Sequence, residues 1–306
     1  MSTKIIKRIF RDYLKKQKHR KVNILVTGSN GQLGSHIRLQ AAQSQHRYFF
    51  CDVNELDITR RDAVFNYVLT NGITMIINCA AYTDVERAED DEATADLINN
   101  TAVRYLADAM KVAGGVLMHF STDYVFGGEV HNKPCTEALG MNPTGAYGRT
   151  KMRGEQSIAD VGCHSIIIRT GWLYSEYGKN FVKTMLRIFD EREMCKVVFD
   201  QVGTPTYAGD LARAVYEIVE NENFRGNDGV YHFSDEGVCS WYDFAKEIAR
   251  QSGRTKCRIA PCHSDEFPSK VQRPSYSVLD KTKIKKTFGI EIPYWTDSLG
   301  RCLENL

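Results

Sequence analysis

A phenol, an ammonium and a hydroxyl occur in an order that suits proton transfer to a carbonyl oxygen. Tyr147 and Lys151 are four residues apart in a stretch of helical spacing, so both side chains fall on one face. A free phenol titrates at about pH 10, and a neighbouring ammonium favours the phenolate and lowers that value. Tyr147 would then serve as general acid while hydride arrives at carbon, and Lys151 would also hydrogen-bond a nicotinamide ribose. Taken alone, a tyrosine and lysine at this spacing read as an exposed helix pair. Thr122 changes the reading, because Ser121-Thr122-Asp123-Tyr124 follows directly on an apolar strand that ends at Phe120. A hydroxyl at the carboxyl edge of a parallel strand stands where ligands bind in such sheets and can hold a substrate carbonyl.

Upstream lies the run GSNGQLG, with Gly28, Gly31 and Gly34 in G-x-x-G-x-x-G spacing and Asn30, Gln32 and Leu33 between them. It separates a predicted strand from a predicted helix. Glycine there allows a tight turn and close approach of a pyrophosphate, and the helix N-terminus offers unpaired N–H groups to the anion. A glycine turn with no ligand is the plainer alternative, and the agreement of strand, turn, helix and second strand argues against it. Asp52, at the end of the second strand, is placed to hydrogen-bond an adenosine ribose hydroxyl, which favours NADH. Arg38, Arg47, Arg60 and Arg61 are close enough in sequence to receive a 2′-phosphate instead, or to be solvated surface charges, so the choice between NADPH and NADH stays open.

These residues need a scaffold, and the order of elements supplies one. Strand signals at 22–27, 48–52, 75–77, 115–120 and 165–169 alternate with helical spacing to about residue 44, around 63–69, over 93–113 as one long helix, over 147–159 and near 180–189. Such alternation marks a parallel sheet built from right-handed crossovers. Beyond Val197 the pattern loosens: 210–220 and 241–251 look helical, 229–233 looks like a strand and 262–274 like a loop. The expected fold is therefore α/β, a Rossmann-like doubly wound parallel sheet with a smaller C-terminal lobe for substrate. The expected divisions are a basic amphipathic extension (1–20), a nucleotide-binding domain with the catalytic residues (21–172), and a lobe (173–306) from which some segments return to the body.

With these motifs in view, the chain from about residue 22 onward resembles the extended short-chain dehydrogenase/reductase family, and within it the dTDP-4-dehydrorhamnose reductases. The carriers are GSNGQLG at Gly28, ELDIT at Glu55, NCAAYTDVERAE at Asn78, STDYVFGG at Ser121, PTGAYGRTKMRGE at Pro143, RTGWLY at Arg169, DQVGTPT at Asp200 and RPSYSVLD at Arg273. The resemblance implies that Thr122, Tyr147 and Lys151 are the catalytic trio. It implies that Asp57 and Ile58 lie beside adenine, that Ala80, Ala81 and Tyr82 line the cofactor, and that Asn99 supports the site. Thr83, Val85, Tyr124, Trp172 and Arg273 would touch a dTDP-linked deoxysugar; without the resemblance Trp172 reads equally as core packing. The implied activity is reduction of a C4 ketone with NADPH or NADH, in a cytoplasmic enzyme that could be a homodimer. Two departures stand out. Gly127 replaces an expected acidic residue after Tyr124-Val125-Phe126, and the extension before Val22 has no counterpart.

Composition narrows the alternatives. The 306 residues carry a net charge of +2, which provides no dedicated nucleic-acid surface, and 42% hydrophobic residues suit a folded enzyme. Nine scattered cysteines include no Cys-x-x-Cys pair, and read as free thiols of a reducing compartment without a metal site. No apolar run reaches the roughly 20 residues of a membrane span. In residues 1–20, Lys and Arg alternate with apolar residues at helical spacing, which fits packing on the domain or a partner subunit, or weak contact with anionic headgroups. A dehydratase would need an acidic residue after Thr122-Asp123, where Tyr124 stands. An epimerase on this fold and a non-catalytic regulatory subunit like that of methionine adenosyltransferase are the remaining readings, since fold alone does not imply function.

Overall fold

The structure, a computed structural model, describes residues 21–129 and 132–306. The expected amphipathic helix over 1–20 lies outside the described residues.

Along the chain the first unit is β1 (Asn23–Thr27), α1 (Gln32–Ala41), β2 (Arg47–Cys51), α2 (Arg61–Thr70) and β3 (Met75–Asn78). It is followed by α3 (Val85–Asp90), α4 (Glu92–Asp96), a π turn (Leu97–Thr101), α5 (Ala102–Ala113), β4 (Val116–Thr122), α6 (Ala146–Val161) and β5 (His164–Thr170). The remainder comprises β6 (Leu173–Tyr174), α7 (Phe181–Glu191), β7 (Met194–Val198), β8 (Val202–Gly203), β9 (Thr206–Tyr207), α8 (Ala208–Glu220), β10 (Gly229–His232), β11 (Cys239–Ser240), α9 (Trp241–Gln251), β12 (Arg258–Cys262), α10 (Thr282–Phe288) and α11 (Trp295–Glu304).

Six strands form one parallel sheet in the order β10-β5-β4-β3-β1-β2. The chain winds outward from β1 to β2 and then back through β3 toward β10, so the direction of winding reverses at β1. At such a switch point the carboxyl ends of the strands leave a crevice. The inner strands are buried on both faces, which is why β3 reads MIIN with no alternation. One face packs on α1 and α8 through Leu33, Ile37, Leu211, Val215 and Ile218. The other packs on α2, α5 and α6 through Val64, Val68, Val103, Leu106 and Ile158. Each such side chain contributes about 2 kcal/mol when fully buried, so the sheet is a stiff platform for whatever its edge carries.

A second, smaller core holds Tyr174, Phe189, Phe244, Trp295 and Leu299 between α7, α9 and α11. Its strands pair as β7 with β12, β8 with β11, and β6 with β9. Helix α9 begins at a capping box in which Ser240 and Asp243 satisfy each other's backbone N–H groups. In contrast, α8 and β10 belong to the large core and the main sheet.

The segment 93–113 is not one regular helix. A π turn interrupts it at Leu97–Thr101, inserting an extra residue into the helical ladder. Such insertions concentrate at functional sites, and here Asn99 projects inward from the inserted turn, fully buried.

Candidate active site

The first glycine turn closes against the end of β3. Gly28 has φ +62, and a Cβ there would lie 2.6 Å from the backbone nitrogen of Ala80. A Cβ on Gly34 would lie 2.5 Å from the Gly28 carbonyl oxygen, so helix α1 can approach the turn only without a side chain at this point. The cleft beside the turn has a volume of about 300 Å³, and its lining includes Gly28, Gly31, Asp52, Asp57, Ile58, Ala80 and Ala81. Asp52 accepts from the backbone N–H of Asn30 at 3.1 Å and of Val53 at 2.8 Å, tying β2 to the glycine turn. Arg38 donates to Ser29 Oγ at 3.0 Å and lies over the Phe50 ring.

Two expected cofactor residues face elsewhere. Leu33 is buried in the core with Ile37, because the first apolar position of α1 must cover the sheet. Gln32 turns its amide toward the smaller lobe, where Oε1 accepts from Ser175 Oγ at 3.2 Å and Asn180 Nδ2 at 3.0 Å.

Asn99 clamps the strand-to-helix segment that follows β3. Its Oδ1 accepts from the Tyr82 N–H at 2.9 Å, and its Nδ2 donates to the Tyr82 carbonyl and to Thr150 Oγ1, both at 3.1 Å. The π turn thus connects the loop holding Ala80, Ala81, Tyr82 and Thr83 to helix α6. Val85 opens α3, whose N-cap Asp84 accepts from the Arg87 N–H.

Helix α6 starts at Ala146 with its N–H bonded to the Glu89 carboxylate and therefore presents Tyr147 in its first turn. Thr122, at the end of β4, lies near enough to the Tyr147 phenol to draw its pKa down, and Tyr124 packs edge-on against the Tyr147 ring with centroids 5.6 Å apart. The structure thus brings Thr122, Tyr124 and Tyr147 together beside the carboxyl edge of the sheet.

Lys151 departs from the sequence expectation. It lies one turn from Tyr147, but its ammonium nitrogen donates to the Phe120 carbonyl at 2.6 Å and sits 3.3 Å from His119 Nε2. Burial holds its pKa down to about 8, with Glu155 opposing. Burial likewise pushes the Tyr147 phenol well above its ordinary value, offset in part by the nearby Thr122 hydroxyl. The expected lowering of the phenol by an adjacent ammonium is absent from this arrangement: the lysine has found its hydrogen bond on the strand. Burial also raises the Asp123 carboxyl to about 6, against hydrogen bonds from Ser277 and Thr122.

Sequence reasoning missed the residues beneath the site. Arg169 makes a two-pronged ion pair with Glu155, Nε to Oε1 at 2.9 Å and Nη2 to Oε2 at 2.7 Å, both side chains only 4% exposed. Ser121 bonds the same carboxylate. Glu155 lies four residues beyond Lys151, so the helical repeat that paired Tyr147 with Lys151 continues to it. Asn78 and His119 carry no comparable signal.

On the far side of the cleft, Trp172 has φ +51 and stacks on Trp241 with ring centroids 3.6 Å apart. Arg273 bonds Glu86 of α3 at 3.0 Å, and its charge opposes the burial that raises the Tyr124 phenol. Neighbouring Lys270 pairs with Asp90 at 2.6 Å, so this C-terminal loop is fastened over the site by charge. Gly127 has φ +147 and packs against Pro274, a backbone that would strain the acidic residue expected there. A larger cavity of about 1170 Å³ lies elsewhere, between α7, α9 and α11, and holds none of these groups. Among the described residues no cluster of His, Cys, Asp or Glu is built to hold a metal.

A parallel sheet with a glycine turn at its switch point and a threonine strand facing a tyrosine-lysine helix is the plan of the extended short-chain dehydrogenases/reductases. Within that class the chain belongs to the dTDP-4-dehydrorhamnose reductase family: residues 22–306 match the family described as RmlD substrate binding domain. It is 38% identical to a dTDP-4-dehydrorhamnose reductase of Aggregatibacter actinomycetemcomitans, over 90% of this chain and 96% of the relative. Among solved structures, a dTDP-4-dehydrorhamnose reductase from Clostridium acetobutylicum is 40% identical with a TM-score of 0.88, over 93% of this chain and 99% of that one. The Bacillus anthracis enzyme, solved in complex with NADP, is 35% identical with a TM-score of 0.88, over 94% of this chain and all of the other.

Proposed function

We propose that this chain reduces the C4 ketone of dTDP-4-dehydro-6-deoxy-L-mannose to give dTDP-L-rhamnose, using NADPH or NADH. The observation that carries the reading is the meeting of Thr122 and Tyr147 at the sheet edge, with Lys151 one helical turn away. The cradle fits a dinucleotide: at Gly28 and Gly34 a side chain would collide with backbone, and the N-terminus of α1 points at the turn. Gly28, Asn30, Gly31, Gln32, Leu33 and Gly34 would hold the pyrophosphate chiefly through their backbone. Asp52, Asp57 and Ile58 would bound the adenosine, and Ala80, Ala81, Tyr82 and Asn99 the nicotinamide half. When bound, the reduced nicotinamide supplies the hydride.

The protein's own part is proton delivery and orientation. Thr122 holds the ketone oxygen, and Tyr147, kept protonated by burial, donates its phenolic proton to that oxygen. Lys151 orients the cofactor ribose. Thr83, Val85, Tyr124, Trp172 and Arg273 enclose the sugar nucleotide. In this reading residues 21–172 hold the nucleotide, and 173–306 chiefly the sugar.

A cytoplasmic enzyme, a homodimer and a weak contact of residues 1–20 with anionic headgroups belong to the same proposal. No helix among the described residues is long and apolar enough to cross a membrane. The function is tested by supplying dTDP-glucose with an upstream dehydratase and epimerase, adding this protein, and following NADPH and NADH absorbance separately. Consumption with formation of dTDP-L-rhamnose is expected; no consumption of either cofactor sinks the reading.

A further inference from the structure

A buried chain of hydrogen bonds runs from the first strand to the lysine of the site, and its donors and acceptors can be assigned one at a time. Thr27 Oγ1 meets Asn78 Oδ1 at 2.7 Å, and the backbone N–H of Ala80 points at the same oxygen from 3.2 Å. A backbone N–H can only donate, so this atom of Asn78 is the amide oxygen and the other is the NH₂. That NH₂ faces His119 Nδ1 at 3.0 Å, which makes Nδ1 an acceptor. The imidazole is therefore neutral and carries its proton on Nε2. Burial of His119, fully excluded from solvent, and the neighbouring Lys151 charge both push its pKa down, in agreement.

The Nε2–H points at Lys151 Nζ, 3.3 Å away, while Nζ donates to the Phe120 carbonyl. An ammonium has three donors and no acceptor, so facing Nε2–H it meets donor with donor. A neutral amine has a lone pair to receive that proton.

We propose that His119 is a positioning residue that holds Lys151 ready to lose its proton, through a ring tautomer fixed by Asn78 and Ala80. The idea rests on the reading of Lys151 as part of the active site. The ionisable group facing this pair is Glu155, on the same helix and already bound by Arg169 of β5 and by Ser121 of β4. Asn78 of β3 is uncharged. Glu155 favours the ammonium, and burial acts against it.

The tautomer is read directly from ¹⁵N NMR of the ring in the unmodified protein, where bare Nδ1 and protonated Nε2 are expected. The alkaline limb of the kcat/KM profile reports Lys151, because Tyr147 stays protonated through that range. Activity that needs the ammonium is present below the lysine pKa and lost above it. In His119→Leu the opposing N–H is gone, so the limb moves up by about one pH unit. In Asn78→Asp a carboxylate draws the proton to Nδ1, leaving an Nε2 lone pair for the ammonium, and the limb moves the same way with the ring in place. Protonated Nδ1 in the unmodified protein overturns the proposal, and so does an unmoved limb in folded variants. Full turnover by Lys151→Met would instead sink the reading of the site, leaving the NMR result to stand on its own.

Discussion

Trp172 stacks on Trp241 with ring planes 7° apart, and it does so from a backbone at φ +51 that few residues other than glycine adopt. The neighbouring strand makes room: a Cβ on Gly203 would fall 2.6 Å from the Trp172 ring. Strain held by close packing on both ring faces marks a side chain whose position matters. For Trp172→Ala we expect KM for the sugar nucleotide to rise about tenfold, equivalent to about 1.4 kcal/mol, with NADPH affinity unchanged. A fall in melting temperature with KM untouched would make Trp172 a packing residue only.

Tyr147→Phe keeps the edge-to-face contact with Tyr124 and removes only the hydroxyl. General acids contribute about 10²–10⁴ in rate, so kcat is expected to fall by at least about a hundredfold. Cofactor affinity, measured by fluorescence titration, is expected to hold. Turnover within threefold of the unmodified protein would remove Tyr147 from the chemistry.

Asn99→Ala strands the N–H and C=O of Tyr82 and removes the donor to Thr150 Oγ1, which keeps its own bond to the Tyr147 carbonyl. Leaving buried polar groups unpaired costs about 1–3 kcal/mol each, although water entering the space would recover part. The expected loss in urea unfolding is about 3 kcal/mol, accompanied by weaker nicotinamide-cofactor binding. A loss below about 0.5 kcal/mol would mean that the π turn holds its shape without this side chain.

Asp123 gives a signed pH dependence. Its carboxyl sits at about 6 in the folded protein against 3.8 ordinarily, so the native state binds the proton more tightly than the unfolded chain. Stability from this group is present at low pH and is lost as pH rises from about 4 through about 6, amounting to roughly 3 kcal/mol. Asp123→Asn has no proton to release. The stability difference between variant and unmodified protein, from chemical unfolding at pH 4 and pH 7, is expected to shift in the variant's favour by that amount. Parallel pH curves would show that Asp123 ionises as freely folded as unfolded.

The sheet was legible because its strands are built around apolar runs and separated by helices long enough to show their period; Trp241–Gln251 has the bounds its spacing predicts. The two-residue strands β6, β8, β9 and β11 were not, since two residues contain no period. The break in 93–113 was hidden because apolar spacing on either side of Leu97–Thr101 reads as one helix, while the extra residue leaves no compositional mark. Thr122 and Tyr147 were found because strand edge and helix start are sequence-local. The surroundings of Lys151 were not, because Asn78, His119 and Phe120 reach it from neighbouring strands. For the same reason helical spacing placed the ammonium on the right face without showing where it would bind.

The inserted residue at Leu97–Thr101 also makes the chain sensitive to length as well as to chemistry. Each helical residue advances the side-chain direction by about 100°, so excising any one amino acid between Leu97 and Thr101 would restore ordinary pitch while rotating everything on one side of the cut against the other. A helix healed in this way would aim Asn99 off Tyr82 or turn the buried face of α5 away from the sheet. A shortening that looks harmless by composition would thus be paid in geometry, and natural gaps in this stretch should come in whole turns or not at all.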